Sequence, residues 1–354
     1  MKKLNQKMRE RLCRLSKRAV EELNECNRIR LRRRNRSAPR EKIGLTKKRL
    51  LAPETLSVMN PSVRDQTLEF VSSIKRICEM GQHVHIDFSR TSELHPCGTL
   101  LFMAYVDGAI SKHGAGKVTC NYPSDDVVGQ LFQHVGLLER LGLTSKWSIT
   151  SDKVKHWRYM QGTCTDTREL RSLLDVYENS LPINVRSQLY ASLSEAITNV
   201  INHAYPQAES KHLEKKWWMF SKKKDGKLLI AICDRGIGIP DSLRQKPYLT
   251  DYLRRILVTH KKRMDETLIA DAVGSPRTVT QLPHRGKGLP EMLEFVRLLG
   301  DGGLTILSQF GGFSFQAVEN MRRSATFHAP VNGTLLFWEI PLEGSHGNAS
   351  DLNS

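Results

Sequence analysis

The spacing of apolar residues changes several times along this chain, and each change predicts an element. In residues 2–34, Leu4, Met8, Leu12, Leu15, Ala19 and Leu23 recur at steps of three and four. That spacing predicts a helix with one apolar stripe. Beyond Pro39 the pattern shifts. HVHIDFS alternates, with Val84, Ile86 and Phe88 on one side, and predicts a strand. CGTLLFMAYVDGAISKH then predicts a helix, KVTCNY a short strand, and SDDVVGQLFQHVGLLERLG another helix. This alternation predicts a small α/β domain over residues 51–145, a sheet covered by helices. Residues 146–165 are polar and without clear period, and read as a linker.

Residues 166–342 read as a second domain. Two helices are expected at DTRELRSLLDVYENS and INVRSQLYASLSEAITNVINHAY, then a strand at KLLIAICD. A glycine turn, a long polar insertion and a second glycine turn into a helix follow. Terminal strands are expected near GLTILSQF, SATFHAP and GTLLFWEIPL. The polar tail, 343–354, reads as disordered. The expected fold class is α/β (α+β).

Charge alters the reading of one segment only. The chain carries a net +17, and residues 1–50 hold 19 Lys and Arg against 5 Glu. The segment therefore reads as a basic amphipathic arm for phosphate groups or an acidic partner, with RNA or DNA among the candidates. It contains no Phe, Trp or Tyr, so base stacking has no platform there. The same lack of aromatics argues against a membrane-seated helix. No 18-residue apolar run exists, and no apolar stretch follows the basic start. The seven cysteines form no CxxC pair, which argues against a disulfide framework or a zinc knuckle. A reducing cytoplasm is the expected compartment.

Four stretches carry candidate chemistry. On the helix SEAITNVINHAY, Glu195, Asn199 and His203 fall one turn apart beside an apolar stripe. Glu195 can take a proton from a nearby water or hydroxyl. Asn199 offers a neutral oxygen to a hard cation such as Mg²⁺. In LLIAICDRGIGIP an apolar strand ends at Asp234, followed by Gly236 and Gly238, which suits a small ligand lying against bare backbone. In HRGKGLPEMLEF, Gly286 and Gly288 precede a periodic helix, and Arg285 and Lys287 add charge. Such a helix start can hold phosphate. In NGTLLFWEIPL, Gly333 and Thr334 open the last strand.

The order of these motifs carries more than any one of them. ExxxNxxxHA on a helix, DxGxG after a strand, GxGL before a helix and GT before a final strand resemble the GHKL ATP-binding fold of gyrase and histidine kinases. The helix motif looks most like that of anti-sigma-factor serine kinases. The resemblance covers roughly residues 166–342. It implies an α/β sandwich with a mixed sheet, and ATP bound through Mg²⁺ beneath a lid. It also implies that Glu195 acts as general base and Asn199 as Mg²⁺ ligand. Asp234 would meet the adenine amine in a pocket shaped by Gly236 and Gly238. Gly286 and Gly288 would give amides to the phosphates, with Arg285 and Lys287 beside them, and Thr334 would support the adenine end. His203 is expected to be structural. The sequence departs from the family at Pro290, where many members have a further glycine. The 47 residues between Gly238 and Gly286 also exceed the lid of the anti-sigma kinases.

Residues 51–145 resemble, more loosely, a STAS domain of the anti-sigma-antagonist type. The match rests on HIDFSRTSELHPCGTLLFMAYVDG and DDVVGQLFQHVGLLERLG. The antagonists carry a phosphorylated serine in a D-S-[ST]-G turn. Here that turn reads His95-Pro96-Cys97-Gly98, and Pro96 cannot accept phosphate. Together the resemblances imply a regulatory Mg-ATP-binding protein, an ATPase or a protein serine kinase, that couples nucleotide to a protein partner. Homodimerisation is a further expectation. The alternative is a nucleotide-gated subunit that binds nucleic acid through residues 1–50 with little or no turnover.

Overall fold

The structure is a computed structural model describing residues 47–166, 168–177, 179–206, 214–245, 264–274 and 288–342. These residues belong to one compact unit that begins at Lys47. The helix expected at 2–34 and the tail at 343–354 lie outside the described residues.

The N-terminal part runs β1 (Lys47–Leu51), β2 (Thr55–Leu56), α1 (Pro61–Glu79), β3 (His83–Asp87), β4 (Glu93–Leu94), α2 (Pro96–His113), β5 (Val118–Cys120), α3 (Asp126–His134) and α4 (Leu137–Arg140). Strands β1, β3 and β5 pair in parallel, as expected of strands joined through helices. Strand β1 starts inside the segment read as a basic arm. Helix α1 is not among the expected elements, although Leu68, Val71, Ile74 and Cys78 recur at three- and four-residue steps and its start is well specified. Asn60 Oδ1 accepts from Ser62 N at 3.0 Å, and Pro61 occupies the first turn. The single helix expected at 124–142 is broken by Gly136, whose φ is +71°.

Helix α2 has no polar face along its first three turns. Cys97, Thr99–Val106 and Ala109 are all buried. A helix apolar on every side lies inside a core rather than on it. Its start is capped by His95, whose Nδ1 accepts from Cys97 N at 3.2 Å.

After a short helix α5 (Asp152–Lys155) come β6 (Trp157–Gly162), α6 (Arg168–Asp175), α7 (Ile183–Asn199), β7 (Trp217–Lys224) and β8 (Lys227–Asp234). Then follow α8 (Gly238–Arg244), α9 (Asp265–Gly274), α10 (Gly288–Leu299), β9 (Gly303–Ser308), β10 (Gly311–Gln316), β11 (Met321–Thr326) and β12 (Thr334–Pro341). Seven strands form one sheet in the order β11-β10-β9-β12-β8-β7-β6. Every pairing in it is antiparallel, so the expected mixed sheet is corrected. The tight connections β7–β8, β9–β10 and β10–β11 force that sense. The stretch 146–165, read as a linker, supplies the edge strand β6.

Both faces of this sheet are covered. On β8, Leu228, Ile230 and Ile232 pack into one core with α6, α7, α9 and α10. Leu229, Ala231 and Cys233 pack into another with α1, α2 and α3. Alternate residues of β12 divide likewise, Leu336, Trp338 and Ile340 against Leu335 and Phe337. This is why β8 and β12 read as unbroken apolar runs rather than alternating ones.

Candidate functional site

The site is built around the C-terminal half of α7. Leu189, Leu193, Ala196 and Ile197 are buried on its inner side, which leaves Glu195 and Asn199 half-buried on its flank. The two side chains hydrogen-bond each other. After Asn199 the helix widens into one π turn, Val200–Ala204. Such turns are rare and concentrate at functional sites. The turn brings the Ala204 carbonyl onto the next motif, where it accepts from Ile237 N at 2.8 Å. A Cβ at Gly236 would collide with that same carbonyl. Glycine at 236 is therefore a requirement of close approach.

Asp234 ends β8 with its carboxylate buried. It accepts from Gly236 N at 2.7 Å and from the backbone and hydroxyl of Thr334. Burial pushes its pKa up to about 7, although these hydrogen bonds pull the other way. Desolvation outweighs three donors, and no cation among the described residues adds to their pull. Thr334 lies directly opposite Asp234 in the β12–β8 ladder and opposite Ser308 in the β12–β9 ladder.

Ser308 was not singled out by any motif. Its hydroxyl donates to Gly333 O at 2.8 Å and accepts from Ile239 N at 2.9 Å. It thus joins the DxGxG turn to the GT turn. Gly238 has φ +78°, and a Cβ there would press on the Ser308 hydroxyl at 2.7 Å. Tyr205 was also missed. Its hydroxyl accepts from Arg235 N at 3.0 Å and donates to Lys216 O at 2.7 Å. A lone hydroxyl at a strand or helix end has no sequence period that would reveal it.

At the other end of the site, Gly288 opens α10 against Glu195, and a Cβ at 288 would strike the Glu195 carboxylate. Burial raises the pKa of Glu195, and the like charge of Glu291, in the first turn of α10, raises it further. The hydrogen bond from Asn199 opposes both. A carboxylate with raised pKa is a better proton acceptor than a fully solvated one.

The structure thus brings Glu195, Asn199, Asp234, Gly236, Gly238, Gly288 and Thr334 into one continuous neighbourhood. Arg285, Gly286 and Lys287 lie outside the described residues. Among the described residues no cluster of three His, Cys, Asp or Glu side chains forms a metal cage. A donor set of one amide and nearby carboxylate suits a cation that takes most of its ligands from water and phosphate. No helix among the described residues is long and apolar enough to cross a membrane.

A family model described as the histidine kinase-like ATPase domain matches residues 160–293. The match runs from β6 into α10 and includes the site residues named above except Ser308, Gly333 and Thr334. It supports a GHKL-type ATP-binding domain in this part of the chain. No curated protein matches the chain.

Proposed function

We propose that this protein binds Mg-ATP in the neighbourhood of α7 and uses the bound state to regulate a protein partner. The observation that carries the reading is the buried Asp234 carboxylate. It accepts from Gly236 and Thr334, with no cation opposite it among the described residues, as an acceptor for an exocyclic amine should. Gly236 and Gly238 leave backbone bare beside it. In this reading Asn199 supplies a neutral oxygen to Mg²⁺, whose role is to neutralise phosphate charge. Glu195 accepts a proton from the attacking group, a water for an ATPase or a protein serine hydroxyl for a kinase. The raised pKa of Glu195 fits that role.

A docking or scaffolding role for the N-terminal layer fits the position of its degenerate turn. Pro96, Cys97 and Gly98 are buried, and the His95 ring meets Phe337 edge-on at 5.4 Å. A kinase cannot reach a residue so placed. The charge of residues 1–50 favours one second reading, an arm for nucleic acid. Deleting that arm should then abolish binding to nucleic acid and its steep salt dependence; unchanged binding removes this reading.

Two variants test the first reading. Asp234→Asn should reduce the preference for ATP over GTP, and an equal loss for both nucleotides would count against its role. Glu195→Gln should stop loss of ATP while binding persists. Turnover at the wild-type rate in Glu195→Gln would remove Glu195 as the base.

A further inference from the structure

Strand β8 ends at Asp234, and the residue that follows it, Arg235, turns to the opposite side. Asp234 faces the helix layer that carries the candidate site. Arg235 faces the N-terminal layer, where its guanidinium lies over the Tyr105 ring at 4.1 Å. Its Nη1 also donates to Ala104 O at 3.4 Å. Both contacts belong to α2. Tyr105 is completely buried, and its hydroxyl accepts from Asn332 Nδ2 at 2.7 Å. Asn332 holds a left-handed backbone, φ +54°, immediately before Gly333 and Thr334. One turn of α2 therefore grips both segments that line Asp234, the DxGxG turn through Arg235 and the GT turn through Asn332. The peptide after Asp234 is held from the other side as well, by the Tyr205 hydroxyl.

A glycine in α2 shows how closely this joint is fitted. Gly108 sits one turn beyond Ala104, within the helix. A Cβ there would overlap Arg235 Nη1 and come within 3.3 Å of Cζ. Glycine is the poorest ordinary residue for a helix interior, and alanine the best. At 108 the helix gives up propensity, and the space that results is filled by Arg235.

We propose that Arg235 and Tyr105 are positioning residues for the nucleotide site. Through them α2 sets the geometry of the two turns around Asp234, and an occupied site in turn holds α2 in place. The inference rests on the nucleotide reading above and adds to it the physical route from the site to the N-terminal layer. Coupling of this kind is reciprocal: whatever α2 does to nucleotide affinity, nucleotide does to α2. A purely structural role for the joint would predict changes in melting temperature without changes in affinity.

The test uses the full chain and Mg-ATP. Gly108→Ala should keep the wild-type far-UV spectrum and melting temperature, because alanine favours the helix and only the mobile end of Arg235 must move. It should nevertheless bind ATP about tenfold more weakly, in the range observed for residues that couple sites without touching ligand. Tyr105→Phe keeps the ring under Arg235 and loses only the Asn332 contact, so a smaller loss is expected. Arg235→Met should weaken binding, and Arg235→Lys, which restores a cation over the ring, should recover part of it. Hydrogen exchange supplies the reciprocal readout. ATP should slow exchange of α2 amides around residues 100–110 in the wild type, and should do so less in Gly108→Ala. If the wild type binds ATP, yet all folded variants bind it equally and α2 exchange does not respond, the joint is structural only and this inference falls alone. If the wild type itself binds no ATP, the functional reading and this inference fall together.

Discussion

The two faces of the seven-stranded sheet are made by the same strands, yet they do different work. On the face toward α7, β8 ends in Asp234, a carboxylate held by the Gly236 amide and by the amide and hydroxyl of Thr334, with no cation opposite it among the described residues. On the face toward α2, a carboxylate is paired with cations. Asp107 accepts from Trp218 Nε1 at 2.8 Å and pairs with Arg140 at 2.8 Å and Lys216 at 3.4 Å. Arg140 also bonds the Tyr159 hydroxyl at 3.0 Å and lies over its ring. On the first face, no cation among the described residues balances the carboxylate at the edge of the glycine-lined turn. On the second face the Asp107 carboxylate is balanced by cations of this chain. Burial penalises the charged form of the Asp234 carboxyl, and that penalty is a cost to stability.

The largest expected effect tests the balanced face. Asp107→Ala leaves Arg140, Lys216 and the Trp218 indole N–H without their shared acceptor. Removing the shared acceptor of this part-buried ionic network costs about 2–3 kcal/mol, less than in a fully buried one. Chemical denaturation should show a loss of that size. A loss below about 1 kcal/mol would mean that water replaces the carboxylate and that this face is less closed than the packing implies.

The next effect tests the unbalanced face, and its sign is opposite. In the folded chain Asp234 titrates at about 7, against about 3.9 when unfolded. Between these values the native state holds a proton that the unfolded state has lost. Stability contributed by this group is therefore present below about pH 4 and falls as pH rises through about 7. Asp234→Asn should flatten that part of the stability–pH curve. At pH 8 the variant should be more stable than the wild type by up to a few kcal/mol. Identical pH curves for the two proteins would show that the carboxylate is compensated in the empty site.

The smallest effect is a control on the surface of the N-terminal layer. Lys112 and Glu79 pair at 3.3 Å with both side chains well exposed. Lys112→Ala should change stability by no more than about 0.5 kcal/mol. A larger change would mean that surface pairs, and not the sheet interface, hold this layer together.

The sequence made the two faces unequally legible. The helix face announces itself through fixed residues in a fixed order, so Glu195, Asn199, Asp234 and Thr334 could be named before any coordinates. What joins them could not. Ser308 and Tyr205 act through single hydroxyls, and the π turn after Asn199 follows from the tertiary setting of Ala204 rather than from local spacing. The other face was harder still. Strand β7, WWMFSKKK, has four apolar residues followed by three lysines and shows no alternation. Its two sides are buried against different layers, Trp217 and Met219 on one and Trp218 and Phe220 on the other. Strand β6 hides in a polar stretch because it is an edge strand with one wet side. Its Trp157 and Tyr159 pack against Phe220 at 5.2 and 5.3 Å between ring centres. Strand β10, absent from the expected elements, opens with two glycines. Both are packing requirements, Gly311 against the backbone of α9 and Gly312 against the Phe327 ring.

The most direct test of the account is a calorimetric titration of Mg-ATP into the full-length wild-type chain and into Asn199→Ala, each repeated with the metal chelated. Saturable one-to-one binding is expected for the wild type, weakened by chelation, with no Mg-dependent component left in Asn199→Ala. Wild-type affinity that is the same with and without metal, and the same in Asn199→Ala, would contradict the placement of the nucleotide beside α7.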